Sequence, residues 1–185
     1  MARTQKTTDT YLEELKEKTK NKIKIKINVA DYGTMRAELY PDIAPITVAN
    51  FVKLIESGFY SGLVFHRVIA GFMIQGGGFD TNGQHKDAES IKGEFAANGV
   101  KNILKHEKGV LSMARTSDPN SASSQIFIMH DYAPHLDGQY AAFGKVVDAD
   151  LEIIDRIAKT RTTTKMFYYQ DWPVDDIVIE SVELA

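Results

Sequence analysis

The chain contains the segment FHRVIAGFMIQGG at residues 65–77, and this segment decides the fold that the sequence predicts. Its apolar runs indicate two short strands separated by a turn at Gly71. Arg67 interrupts the first strand, where an arginine must reach solvent, pair with an acid or serve a ligand. Taken alone, the strand favours an ordinary ion pair for Arg67 and a hydrogen-bonded structural role for His66.

Short strands are also predicted on both sides of this segment. Ile23, Ile25, Ile27 and Val29 alternate with polar residues, which is the two-residue period of a half-buried strand. Loops rich in Gly, Asn, Asp and Ser separate the apolar runs. The predicted strands cover residues 23–29, 34–40, 63–69, 72–75, 110–114, 125–129, 141–147 and 177–184.

Two helices complete the predicted pattern. Pro45 suits a first helical turn, where its missing N–H has no intrahelical partner, and Gly58 is placed to end that helix. Apolar residues at helical spacing indicate a second helix over residues 151–158. Many short strands and only two good helices predict a mainly β fold, either a closed antiparallel barrel or a sandwich.

The composition is that of an ordinary globular protein. A hydrophobic share of 43% and a charged share of 25% over 185 residues suit one compact domain. The net charge of -3 argues against a nucleic-acid binder, which usually presents a basic face. No stretch approaches the roughly 18 to 20 apolar residues of a membrane span. Because no apolar signal-peptide centre is visible either, we expect a cytoplasmic protein, and a monomer.

No metal or cofactor is expected from the sequence. The chain has no cysteine, which excludes disulfides and thiolate ligands. Its five histidines are scattered, without the paired spacing and carboxylate that define a ligand set.

The first residues differ in composition from the rest of the chain. Residues 1–21 are rich in Thr, Lys and Glu, although Tyr11, Leu12 and Leu15 fit one apolar stripe of a short helix. The favoured interpretation is a solvated N-terminal extension that precedes one domain at residues 22–185.

The predicted strand at residues 125–129 presents different side chains on its two faces. Ile126 and Ile128 share one face and are natural core residues, whereas Gln125 and Phe127 share the other. An aromatic ring beside an amide suits an apolar pocket with one orienting group. A phenylalanine covered by a loop fits the same pattern.

Near the C-terminus the aromatic residues cluster. Met166, Phe167, Tyr168 and Tyr169 are consecutive, and Trp172 follows them. The favoured interpretation is that this cluster covers the barrel, and the alternative is a surface for a partner.

Residues 65–77 closely resemble the signature of the cyclophilins, and depart from it chiefly at Ala70, where proline is common. The similarity extends in order and spacing over nearly the whole chain from about residue 23, in a bacterial-like variant. The further matching segments are residues 44–51, 102–106, 109–114, 124–128, 136–138 and 143–146.

The resemblance implies a closed eight-stranded antiparallel barrel, capped by two helices, that isomerises X-Pro peptide bonds in proline-containing polypeptides. Arg67 matches the catalytic arginine, and His66 matches a neighbour of the substrate pocket. Ala114, Arg115 and Thr116 match a segment described as an edge strand that pairs with the substrate backbone. The other matched positions are Phe72, Met73, Phe127 and Leu136 for the proline pocket, Gln75 and Gln125 for the peptide, and His135 and Tyr140 at the pocket wall.

Three positions depart from the family pattern. Arg115 replaces a more usual asparagine. Because the expected contact with substrate at this position is made largely by main-chain atoms, it tolerates the replacement. His135 stands where many eukaryotic members have tryptophan, and because that position is associated with tight cyclosporin binding, we expect weak binding of this drug. Tyr140 stands where they have histidine, and it can still wall the pocket.

Two alternative functions are compatible with such a chain. A proline-peptide binding module would keep the pocket with only incidental catalysis, although capture of a proline ring needs the aromatic wall more than it needs Arg67. A small-molecule carrier barrel would need a hollow interior, whereas Ile126 and Ile128 predict one filled by branched side chains.

Overall fold

The structure is a computed structural model that describes Thr7, residues 9–10, residues 13–14 and residues 22–185. Tyr11, Leu12 and Leu15, whose stripe predicted a short helix, lie outside the described residues. Residues 9–10 and 13–14 are helical, and the α-helices within residues 22–185 are α1 (Pro45–Glu56) and α2 (Leu151–Ala158). The strands are β1 (Ile23–Val29), β2 (Gly33–Leu39), β3 (Arg67–Ile69), β4 (Met73–Gly76), β5 (Val110–Met113), β6 (Ile126–Met129), β7 (Ala142–Val146), β8 (Thr162–Lys165), β9 (Tyr169–Pro173) and β10 (Ile179–Leu184).

Eight strands form one curled antiparallel sheet in the order β10-β1-β2-β7-β5-β6-β4-β3. Its two edges meet just before β3, where the Phe65 N–H donates to the Ile177 carbonyl at 3.0 Å and the Ile179 N–H donates to the Leu63 carbonyl at 2.8 Å. Within residues 22–185 no ladder joins β3 itself to β10. The eight-stranded antiparallel fold is therefore confirmed, but it is a half-barrel, and the expectation of a fully closed barrel was overstated.

Branched and aromatic side chains fill the concave side of the sheet. Ile126 and Ile128 are 2% and 0% exposed and belong to this main core, as their alternation predicts. Phe51 of α1 packs edge-on against Phe143 of β7, with ring centroids 5.2 Å apart. A filled interior leaves no room for a carried molecule, so the carrier alternative finds no support.

A buried carboxylate holds the beginning of α1. Ala44 precedes the helix and offers no side-chain cap, but Glu94 accepts hydrogen bonds from the backbone N–H groups of Ile46 and Thr47 at 3.2 and 2.6 Å. The Thr47 hydroxyl adds a third bond at 2.7 Å. Burial raises the pKa of the Glu94 carboxyl, and the hydrogen bonds oppose that shift. Glu94 thus ties the long loop between β4 and β5 to the helix, because it satisfies free N–H groups of the first turn.

Strands β8 and β9 form a separate two-stranded hairpin that the sequence analysis did not predict. Trp172 is 1% exposed and packs with Val64 and Phe79, while Tyr169 is partly buried against them. Phe167 and Tyr168, in contrast, are 101% and 69% exposed. The interpretation of the aromatic cluster as a cover is therefore confirmed for Trp172 and Tyr169 and is wrong for the tip of the hairpin.

Candidate functional site

A row of polar side chains crosses the outer face of the sheet at β3 and β4. Arg67 of β3 lies opposite Gln75 of β4, and Gln75 lies opposite Phe127 of β6. The Arg67 guanidinium donates to Gln75 Oε1 at 3.3 Å, and Gln75 Nε2 donates to Gln125 Oε1 at 3.0 Å. Among the described residues, no carboxylate lies within ion-pair distance of Arg67. Within the part of the chain that the structure describes, the ion pair that the strand favoured in isolation is therefore not formed, and the half-buried guanidinium keeps donors free.

An apolar cluster lies beside this row on the same outer face, and we call it the outer cluster. Met73, Phe127 and Leu136 are 1%, 5% and 6% exposed, and they form its floor. Phe72 and Tyr140 are partly buried against it, and Tyr140 packs edge-on against Phe127 with centroids 5.7 Å apart. The structure thus brings together all the residues that were predicted to form the pocket.

His135 lies at the rim of the outer cluster. It is an exposed residue of a short 3-10 helix, Pro134–Leu136. The centroid of its ring is 6.1 Å from that of Phe72. A small, polar ring therefore occupies the position where many family members are expected to carry an indole.

Arg115 is turned toward Tyr140. The guanidinium carbon of Arg115 lies 4.6 Å from the centroid of the Tyr140 ring and 4.8 Å from that of Phe95. Arg115 Nη2 also donates to the Gln139 carbonyl at 2.7 Å. These cation–π contacts hold the Tyr140 wall in place, a role that the sequence analysis did not assign to this side chain.

The expectation of an edge strand at Ala114 and Arg115 was wrong. β5 lies between β6 and β7 in the sheet, and both residues follow its end. The Ala114 N–H already donates to the Gln125 carbonyl at 3.0 Å, so it is engaged. Thr116 is exposed, and its N–H and hydroxyl both bond Ser121 Oγ. The segment from Ala114 to Thr116 therefore leaves the sheet after β5 and does not form one of its edges.

A buried hydrogen-bond network supports Phe127 from beneath, and the sequence analysis missed it. The His106 ring stacks on Phe127 at 5.9 Å and 17°. His106 Nε2 shares a hydrogen bond of 2.8 Å with the Ser112 hydroxyl, and its Nδ1 lies 3.0 Å from Asp137 Oδ1. Burial lowers the pKa of His106. Because His106 and Ser112 are both 0% exposed, this Ser-His-Asp arrangement cannot reach a substrate as a nucleophile. The arrangement supports Phe127 in the floor of the outer cluster.

His66 lies behind Arg67, on the opposite side of β3 from the outer cluster. Its ring packs on Phe79 and Trp172, with centroids 4.7 and 5.6 Å away. It is 7% exposed, and its Nδ1 has no hydrogen-bond partner among the described residues. Burial, with a smaller contribution from Arg67, lowers the pKa of His66 from 6.5 to about 4. His66 is therefore a neutral neighbour of the site and does not line the outer cluster.

This buried histidine predicts an acid-sensitive fold. Because the pKa of His66 is lower in the folded than in the unfolded chain, the unfolded state binds the extra proton between about pH 4 and 6.5. The stabilising contribution of neutral His66 is complete above pH 6.5 and is lost as the pH falls through about 4. We expect His66→Gln to remove a slope that approaches about 1.4 kcal/mol per pH unit in that window. Urea unfolding of the wild type and of His66→Gln at several pH values measures how the free energy of unfolding changes with pH. Parallel slopes for the two proteins would exclude His66 as the group that causes the acid sensitivity.

The sequence of the chain is similar to a family of known proteins and to individual members of it. A family model described as Cyclophilin type peptidyl-prolyl cis-trans isomerase/CLD matches residues 23–184. A peptidyl-prolyl cis-trans isomerase of Acinetobacter baylyi is 43% identical over 158 residues, which cover 82% of this chain and 80% of that protein. Peptidyl-prolyl cis-trans isomerase B of Escherichia coli is 40% identical over 164 residues, covering 84% of this chain and 96% of that protein.

Solved structures show the same fold. A cyclophilin type peptidyl-prolyl cis-trans isomerase of Cryptosporidium parvum, crystallised in the presence of the dipeptide ala-pro, has a TM-score of 0.74 at 31% identity. The likeness covers 88% of this chain and 98% of that one. In the described part of this chain, no helix combines the length and the apolar character that a membrane span requires.

Proposed function

The chain belongs to the cyclophilin-type peptidyl-prolyl cis-trans isomerases, and we propose that it accelerates rotation about X-Pro bonds in polypeptides with Arg67 as its catalytic group. The observation that carries this proposal is a half-buried guanidinium that has no carboxylate partner among the described residues and lies beside an apolar pocket on the same face of the sheet. An isomerase assay of the wild type beside Arg67→Ala tests it.

The reaction breaks no covalent bond, and its catalysis requires electrostatic stabilisation of the twisted amide. Resonance holds the peptide bond planar with a barrier of about 18–20 kcal/mol, and rotation at proline takes tens to hundreds of seconds unaided. Turnover in roughly milliseconds needs an acceleration of about 10⁴ to 10⁵, which corresponds to about 6–7 kcal/mol. The group to be stabilised is the twisted amide, whose nitrogen becomes pyramidal and regains its lone pair.

Arg67 suits this task because its guanidinium stays charged and presents several donors in a rigid fork. A donor directed at the nitrogen lone pair, or at the proline carbonyl, stabilises the twisted amide more than the planar ground state. That difference is the condition for catalysis. The half-buried position strengthens the interaction, since less water competes for the donor.

Gln75 orients the arginine in this proposal. Its carbonyl oxygen accepts from Arg67, and its amide nitrogen donates to Gln125, so both ends of the Gln75 amide are engaged. The amide nitrogen of Gln125 has no partner among the described residues, and we assign it to the peptide backbone. The outer cluster holds the proline ring by apolar contact while the preceding residue rotates.

The proposed working state is a cytoplasmic monomer without a cofactor, acting on proline-containing polypeptides as they fold. One chain supplies Arg67, Gln75 and the whole outer cluster, so the site is complete without a second copy. Sedimentation at the concentrations used for the assay, together with fractionation of cells that produce the protein, tests these statements.

Cyclosporin is expected to bind weakly. The small ring of His135 offers less apolar area and no indole N–H beside Phe72, at a rim position where a tryptophan is associated with tight binding. Calorimetric titration of the wild type measures the affinity, and His135→Trp is expected to bind the drug more tightly than the wild type. A nanomolar dissociation constant for the unmodified protein would contradict this prediction.

A further inference from the structure

A second cavity opens beside Arg67, on the side away from the outer cluster. It has a volume of about 290 Å³ and is lined by His66, Arg67 and the hairpin residues 168–171. β3 is the last strand of the eight-stranded sheet, and β9 of the hairpin contacts it. Arg67 therefore lies between this cavity and the outer cluster, which is proposed to hold the proline ring.

The turn of the hairpin presents aromatic rings to solvent at a conformational cost. The Tyr168 N–H donates to the Lys165 carbonyl at 3.3 Å, and the two central residues, Met166 and Phe167, have φ of 52° and 67°. Turns whose two central residues both have positive φ favour Asn and Gly, because a larger side chain crowds the left-handed backbone. Here the turn carries Phe167 fully exposed and Tyr168 largely exposed. Neither the backbone nor the burial of apolar area explains this choice of residues.

The base of the hairpin is held firmly. Trp172 is buried against Phe79, with ring centroids 5.5 Å apart, and Tyr169 lies 5.7 Å from Trp172. Lys165 Nζ lies 4.4 Å from the centroid of the Trp172 ring. The exposed rings therefore project from a packed support, which lowers the entropy lost when they contact a ligand.

The charges around the cavity oppose each other. Arg67 disfavours a basic side chain, Asp171 disfavours an acidic one, and His66 is neutral near pH 7 because burial lowers its pKa to about 4. The attractive surfaces that remain in the cavity lining are the ring of Tyr168 and the flat guanidinium of Arg67, and the exposed ring of Phe167 lies next to Tyr168 in sequence, outside that lining. All three surfaces favour an apolar, and above all an aromatic, side chain.

We propose that Phe167 and Tyr168 form a subsite that binds an aromatic side chain close to the isomerised proline. This inference rests on the proposed function and names the class of polypeptide that the site prefers. An extended chain advances about 3.3–3.6 Å per residue, and Arg67 both lines the cavity and is the proposed catalytic group. The preferred side chain therefore lies within about two residues of the proline.

The test compares X-Pro peptides that carry either Phe or Ala at one of four positions, namely the two residues before the proline and the two residues after it. Exchange NMR gives kcat/KM for the wild type and for the double variant Phe167→Ala/Tyr168→Ala. At one of these positions we expect the wild type to prefer Phe by about three- to tenfold, and the double variant to lose most of that preference. Val174→Ala is the matched control, since it removes an exposed apolar side chain at the base of the same hairpin and should keep the preference.

The outcomes separate this inference from the proposed function. Equal rates for Phe and Ala at every position, or a preference unchanged in the double variant, would overturn the subsite while leaving the isomerase proposal intact. If the wild type catalysed no exchange at all, the isomerase proposal would fail instead. The same peptides would then decide the subsite through their dissociation constants, with loss of the Phe preference in the double variant as the supporting result. Thermal melting of all three proteins checks that each is folded.

Discussion

Replacing Arg67 with alanine is expected to lower kcat/KM for X-Pro isomerisation by about 100-fold or more, the loss typical when a preorganised donor is removed from a developing charge. The effect should fall mainly on kcat, because the outer cluster that binds the proline ring remains. A protease-coupled assay, or exchange NMR with a single X-Pro peptide, gives both constants.

Two comparisons make this experiment decisive. Arg67→Lys keeps the charge but lacks the planar fork, so we expect it to recover only a small part of the lost activity. Stability should change by less than about 1 kcal/mol in either variant, since Arg67 is half-buried and forms no ion pair within residues 22–185. An unchanged kcat/KM in a folded Arg67→Ala protein would refute the catalytic role and would mean that another group stabilises the twisted amide. A wild type that catalysed no exchange would instead be better described as a proline-peptide binding module.

The parts of the fold that could be predicted were those with a local pattern. The two-residue alternation of a strand along β6 was sufficient to place Ile126 and Ile128 in the core and Phe127 on the other face, as observed. The β8–β9 hairpin has no such pattern. The side chains of β8 are exposed on both faces, and the turn uses Met166 and Phe167 in place of the glycine or asparagine that mark a turn in sequence.

The site could be predicted only where the family resemblance extended. It brought Phe72, Met73 and Leu136 together correctly, but it gave no account of what holds them. His106 bonds Ser112 and Asp137, and Asp137 is 31 positions away in sequence, a separation that no periodicity connects. Likewise, the stacking of Arg115 on Tyr140 depends on how two loops pack, which residue type alone does not determine.

Phe127→Ala is expected to have the second large effect, on both stability and activity. The ring is 5% exposed, stacks on His106 and meets Tyr140 edge-on, so its loss should lower the free energy of unfolding by about 3–5 kcal/mol. The pocket also loses its floor. If the ring supplies the roughly 1.5–3 kcal/mol of a fully buried apolar side chain to the bound proline, kcat/KM should fall by about 10- to 100-fold.

The neighbouring residue separates these two effects. Ile126→Ala removes a side chain of similar burial from the opposite face of the same strand, in the main core, and should cost about 2–5 kcal/mol of stability. Because Ile126 does not touch the outer cluster, its kcat/KM should stay within about twofold of the wild type under conditions where the protein is folded. Phe127→Leu keeps most of the volume and provides a folded variant if alanine does not. Equal loss of activity at residues 126 and 127 would mean that Phe127 acts through the fold, and that the outer cluster does not bind the proline.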